Sequence, residues 1–138
     1  RPEGVIWYNA WRPRVGTIQA AFNGAANEAG VDEPNAAFVR RFYDRVVPGI
    51  CDRFDGPVML TLIAPRPLLV INGDSDDKTP IPGLSLCTEN ARQAYAQAEA
   101  SDKFVVRVQE NTGHKVNPDS LEMAMDWFVK WLNPDAGR

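Results

Sequence analysis

Two polar segments of this 138-residue chain hold groups with chemistry to offer: VINGDSDDKTP at 70–80 and ENTGHKVNP at 110–118. The first sets Asp74, Asp76 and Asp77 directly behind an apolar run, and the second contains His114, the single histidine of the chain. A carboxylate that holds an imidazole by one nitrogen fixes its tautomer and stabilises the imidazolium. The other nitrogen is then equipped to take a proton from a nucleophile. Gly113, in front of the histidine, lets the backbone turn sharply. Position alone leaves the acid open: Asp76 ranks first and Asp77 second, while Asp74, near the strand end, suits an Asx role toward turn amides. All three are also ordinary turn formers, so the pairing depends on whether the two segments meet.

The surrounding elements predict that they do. LLVIN (68–72) lacks polar alternation and reads as a strand buried on both faces of a parallel sheet. TENARQAYAQAEA (88–100) reads as a helix with Thr88 as its cap, and KFVVRVQ (103–109) as the next strand. DSLEMAMDWFVKWL (119–132) reads as a closing helix in which Asp119 and Glu122 form a variant capping box. Leu121, Ala124, Met125, Phe128 and Leu132 share one side of it, with Trp127 and Trp131 at the edges, a face suited to a sheet. Such alternation predicts an α/β fold with parallel strands and right-handed crossovers, with ligand chemistry at the carboxyl ends of the strands. Adjacent parallel strands stand about 5 Å apart, so an Asp after one and a His after the next come within reach of each other.

Upstream, residues 17–30 read as a short Ala-rich helix closed by Gly30. Residues 35–47 read as a helix capped by Asn35, with Phe38, Phe42 and Val46 on a stripe widened by Val39 and Tyr43. Pro48-Gly49 ends it. Trp7, Tyr8 and Trp11 suit either a pocket wall or a core.

A base held by an acid serves a nucleophile, and Ser75, Thr79, Ser85, Cys87 and Ser120 are the candidates. None stands in a G-x-S-x-G elbow, and Cys87 suits a small buried hydrophobe better than a thiolate. One histidine with clustered acids makes no zinc set. DSDDKTP lacks the glycine and distal glutamate of a calcium loop, and there is no glycine-rich phosphate loop, so neither metal nor cofactor is expected. Cys51 and Cys87 lack C-x-x-C spacing. A net charge of −3, a pI near 5.1 and the lack of a basic stripe speak against nucleic acid. VMLTLIAP is too short to span a membrane and no signal peptide is visible, which leaves a soluble chain, cytoplasmic or exported. The length and the 44% apolar content fit one globular domain or part of one.

APRPLLVINGDSDDKTP, the NTGHKV loop and the terminal DWFVKWL helix together resemble the C-terminal part of an α/β-hydrolase. The branch resembled is the dienelactone hydrolase and acetyl xylan esterase-like one, which is also similar to prolyl oligopeptidase catalytic domains. The likeness covers 48–132 and is vague over 1–47. In that family a strand ends in G-x-x-D-x-x-T/V-P, whose Asp is the triad acid; the pattern falls on Gly73, Asp76, Thr79 and Pro80, and the family's G-H on Gly113 and His114. The resemblance implies a mostly parallel sheet flanked by helices, a three-layer sandwich completed by an N-terminal segment. Residues 1–47 would be a connection or lid-like segment, and 48–138 the C-terminal half of the core. It implies a carboxylic-ester hydrolase with catalytic His114 and Asp76, acting on a small acyl, sugar or aryl ester. The serine and oxyanion amides, upstream in the family, are missing from this sequence. The chain, which opens at Arg1, is therefore expected to work with an N-terminal chain cut from the same precursor. A serine peptidase using the same groups and a non-catalytic α/β interaction module are the alternative readings.

Overall fold

The computed structural model describes residues 16–76 and 79–132. Trp7, Tyr8, Trp11 and Asp77 lie outside the described residues. In chain order the elements are α1 (Gly16–Glu28), α2 (Ala36–Val46), α3 (Ile50–Arg53) and α4 (Gly56–Met59), the last running into a 3₁₀ turn at Leu60–Ile63. Then come β1 (Leu68–Gly73), α5 (Ile81–Gln97), a 3₁₀ turn at Ser101–Lys103, β2 (Phe104–Gln109) and α6 (Pro118–Leu132). The described residues form a small mixed α/β fold with two strands, and these are parallel as expected.

Local signals account for the first two helices. Gly30, at φ +64°, closes α1 with a Schellman pair: its N–H donates to the Asn27 carbonyl at 3.0 Å and that of Val31 to the Ala26 carbonyl at 2.9 Å. Asn35 caps α2, its side chain accepting from the Phe38 N–H at 3.0 Å. The apolar sides of the two helices meet in a cluster of Phe22, Ala26, Phe38, Val39, Phe42 and Tyr43. Phe22 sets its ring edge-to-face against both Phe38 and Phe42, with centroids 5.5 and 5.1 Å apart.

The second cluster holds the strands to α5. Leu68 pairs with Phe104 and Val70 with Val106, so all four side chains share one face of the sheet. That face packs with Ala91, Tyr95 and Ala100. Ala91 is fully buried and small enough to let the helix approach, while Tyr95 stacks on Phe104 at 5.1 Å. The Tyr95 hydroxyl donates to the Arg66 carbonyl, which satisfies its polar end.

Besides Leu68 to Ile71, which are half-buried rather than buried on both faces, three helix expectations differ from the structure. α5 starts at Ile81, not at Thr88, because Pro82 falls in its first turn, where a missing N–H costs nothing. Thr88 is instead buried within the helix and donates to the Ser85 carbonyl at 3.1 Å. α6 starts at Pro118, with the Asn117 carbonyl accepting from Leu121 N–H at 2.9 Å, so Asp119 lies in the first turn rather than at the cap. The third difference concerns the faces of α6. Ser120 is buried and Met123, Ala124, Trp127 and Trp131 are half-buried, whereas Leu121, Met125, Phe128, Val129 and Leu132 are each more than half exposed. The stripe expected to lie on a sheet faces away from the described residues, since two strands offer too little surface to cover the whole apolar girth of this helix.

Candidate active site

The two strands end level with each other, Gly73 opposite Gln109, so the loops that follow them emerge side by side. His114 Nδ1 and Asp76 Oδ2 stand 2.9 Å apart, across 38 residues of sequence. The carboxylate side chain is 5% exposed and the imidazole 61% exposed. Asp76, expected first among the three acids, meets the ring, whereas Asp74 turns to other partners and Asp77 lies outside the described residues. With Nδ1 held by Asp76, Nε2 is left to act, and among the described residues it has no hydrogen-bond partner. A buried acid behind an accessible ring is an arrangement that can hold one tautomer and exchange a proton at the free nitrogen.

Each loop is anchored by a buried amide side chain near the end of its strand. Asn72 Nδ2 donates to the carbonyls of Gly73 at 2.7 Å and Thr79 at 3.0 Å, tying down both ends of the segment that bears Asp76. Gln109 Nε2 donates to the Lys115 carbonyl at 2.9 Å while its Oε1 accepts from Asn117 N–H at 2.7 Å, which grips the His114 loop on its far side. Within that loop Thr112, almost fully buried, donates to the Glu110 carbonyl at 2.8 Å and accepts from Asn117 Nδ2 at 2.9 Å. The sequence reading missed Asn72 and Gln109. Their signal is a polar amide near the carboxyl end of an apolar strand, where a buried donor and acceptor demand partners.

Asp74 does bind turn amides, but those of the other loop. Its Oδ2 accepts from Asn111 N–H at 3.0 Å and its Oδ1 from Thr112 N–H at 3.1 Å. Asn111 sits at φ +48°, a left-handed conformation that Asn tolerates, and the two successive amides form a small nest around the carboxylate. Hydrogen bonds from the Asn111 amide, the Ser75 hydroxyl and the Thr112 amide hold the Asp74 carboxyl below its ordinary value of 3.8. Gly73 allows the close approach: a Cβ there would overlap the carbonyl oxygens of Thr112 and Gly113.

Among the described residues no candidate nucleophile hydrogen-bonds to His114. The Ser75 hydroxyl donates to Asp74 at 2.8 Å, and Ser120 is buried in α6. Cys87 is a free, buried thiol that burial, helped by the Asp55 charge, pushes up to about 11, so it stays protonated and unreactive at neutral pH. The described residues hold no group of three or more His, Cys, Asp or Glu placed to bind a metal ion, and no helix long and apolar enough to cross a membrane. Compared with protein-family profiles, with curated proteins and with solved structures, the chain matches none.

Proposed function

We propose that this chain supplies the acid and the base of a serine carboxylesterase and forms the C-terminal portion of an α/β-hydrolase fold. The observation that carries the reading is the 2.9 Å contact between His114 Nδ1 and a buried Asp76, on loops leaving the carboxyl ends of two neighbouring parallel strands. Ligand chemistry concentrates at that end of a parallel sheet. The nucleophilic serine and the oxyanion amides come from a nucleophile-bearing N-terminal part of the same precursor, which also completes the three-layer sandwich. In support, the α6 stripe Leu121, Met125, Phe128, Val129 and Leu132 forms an exposed apolar surface of the kind that marks an interface.

In this mechanism the serine oxygen bonds to the ester carbonyl carbon as its proton passes to His114 Nε2. The bond to the alcohol oxygen then breaks, and Nε2 returns the proton to the departing alkoxide. Water attacks the acyl-serine in the same way, which regenerates the serine and releases the acid. Asp76 stays ionised throughout and holds Nδ1–H. The reaction calls on no metal or organic cofactor, and its substrate is a small acyl, sugar or aryl ester.

Fluorophosphonate labelling of the native assembly, read by intact mass, tests the proposal. The expected result is a label on a serine of an accompanying polypeptide, together with hydrolysis of p-nitrophenyl acetate. His114→Ala should lower that turnover by several orders of magnitude, and Asp76→Asn by about 10⁴-fold, because loss of a triad member removes proton transfer or the correct tautomer. Near-normal hydrolysis by either variant overturns the assignment.

A further inference from the structure

We propose that Asp74 is a positioning residue for the His114–Asp76 pair, a clamp that sets the distance between the two loops. The role in catalysis rests on the hydrolase reading above, whereas the effect on the ring does not. Asp74 directly follows β1, and its N–H donates to the Gln109 carbonyl at 3.0 Å, extending the ladder between the strands by one step. Its carboxylate then crosses to the other loop and takes the amides of Asn111 and Thr112. Ser75 N–H returns the link by donating to the Thr112 carbonyl at 3.0 Å.

The placement of these bonds is what gives the clamp its effect. Asp76 lies two residues beyond Asp74, and His114 two residues beyond Thr112. Both members of the pair thus leave one cross-linked base by equal lengths of chain, and an error at the base is passed to both. Only a carboxylate offers two acceptor oxygens to two successive amides. An asparagine keeps one acceptor and turns an NH₂ group toward the second N–H. An alanine leaves both amides without the acceptor, including that of the buried Thr112. The depressed carboxyl value keeps Asp74 ionised well below neutral pH, so the clamp is closed wherever a histidine base can act.

The test uses the 138-residue chain itself, with Asp74→Ala and Asp74→Asn. Long-range ¹H–¹⁵N correlation reads which nitrogen of His114 holds the proton, and urea unfolding reports whether each variant is folded. In the unsubstituted chain the proton is expected on Nδ1, the nitrogen that faces Asp76. Both variants are expected to shift the ring toward the Nε2–H tautomer that free imidazole favours, Asp74→Ala further than Asp74→Asn, with the paired amides of β1 and β2 unmoved. Retention of the Nδ1–H signature in a folded Asp74→Asn chain overturns the proposal, and that variant decides the matter should the alanine one unfold. In the assembled enzyme, kcat for p-nitrophenyl acetate is expected to fall by about 10²-fold in Asp74→Ala with KM little changed, the loss that a misplacement of about 1 Å produces. Tautomer loss in variants of an assembly that hydrolyses no ester upholds the clamp and removes the hydrolase reading instead.

Discussion

The helical region, α1 with α2, and the strand region, β1 through α6, solve the same burial problem to different degrees. In the helical region the amphipathic stripes face each other, and Phe22, Phe38, Phe42 and Tyr43 are all buried in one aromatic cluster. In the strand region the buried cluster is confined to the α5 side of the sheet: Ala91, Tyr95, Ala100 and Phe104 are buried, while Leu68 to Ile71 are only half-buried. The composition of LLVIN anticipates cover on both faces of the strand. Two helices can close a core between themselves, but a parallel strand needs neighbours at its edges and layers above and below. The difference teaches that the strand region is built for more cover than the described residues give it, which agrees with the proposed partner.

The contrast predicts separable responses to core damage. Phe22→Ala removes the ring that touches both Phe38 and Phe42 and should cost about 3–5 kcal/mol, the usual loss for a buried phenylalanine. Hydrogen exchange should show the amides of α1 and α2 losing protection while those between β1 and β2 keep theirs. Simultaneous loss in both regions would merge them into one cooperative unit and end the comparison.

A second substitution strikes the strand region where it is tightest. Gly73→Ala drives a methyl group into the carbonyls of Thr112 and Gly113, backbone atoms that cannot swing aside. The expected cost is about 1–3 kcal/mol by urea unfolding, and more where the loops separate. His114 and Asp76 should lose their contact with it, visible as a change of His114 tautomer. An unchanged unfolding midpoint would mean that the two loops are looser than their hydrogen bonds imply.

Much of this was legible in the residues. The parallel strands, the caps at Gly30 and Asn35, and the meeting of Asp76 with His114 follow from apolar runs, turn chemistry and the rule that loops at one sheet edge converge. What was not legible depends on contacts between distant segments. That Asp74 binds turn amides is readable, but which ones is not, because Asn111 and Thr112 are 37 and 38 residues away and contribute backbone amides, which every residue carries. The start of α5 was missed because Ile81-Pro82-Gly83 looks like loop, although proline is well accommodated in a first helical turn. The orientation of α6 was misread because period alone defines a stripe and says nothing about which neighbour it meets.

A smaller effect follows from the acid that joins the loops. The Asp74 carboxyl is held below 3.8 in the folded chain, so the folded state binds its proton less readily than the unfolded state does. Its contribution to stability is therefore complete above that ordinary value and is lost as pH falls through the folded one. Urea midpoints measured between pH 5 and pH 2 should decline less steeply in Asp74→Asn than in the unsubstituted chain. Parallel declines would assign the acid loss to other carboxylates. In the helical region the same substitution should leave amide exchange unaltered, which sharpens the division between the two regions.

The smallest expected effect is the most direct measure of how open the strand region is. Phe128 and Phe22 are the same residue type, but Phe128 is 60% exposed and Phe22 is 5% exposed. Phe128→Ser should therefore change the stability of the 138-residue chain by no more than about 0.5 kcal/mol, as surface substitutions generally do. Leu132→Ser, at the most exposed position of the same stripe, should behave alike. A loss from Phe128→Ser as large as that from Phe22→Ala would mean that the stripe is already covered in solution, by a second copy or by residues outside those described. The same serine variants should weaken association with the proposed nucleophile-bearing part, because a central aromatic anchor accounts for much of the binding free energy of an apolar interface. Stability unmoved and association lost is the pair of outcomes that an interface face requires, and a merely tolerated surface would give the first without the second.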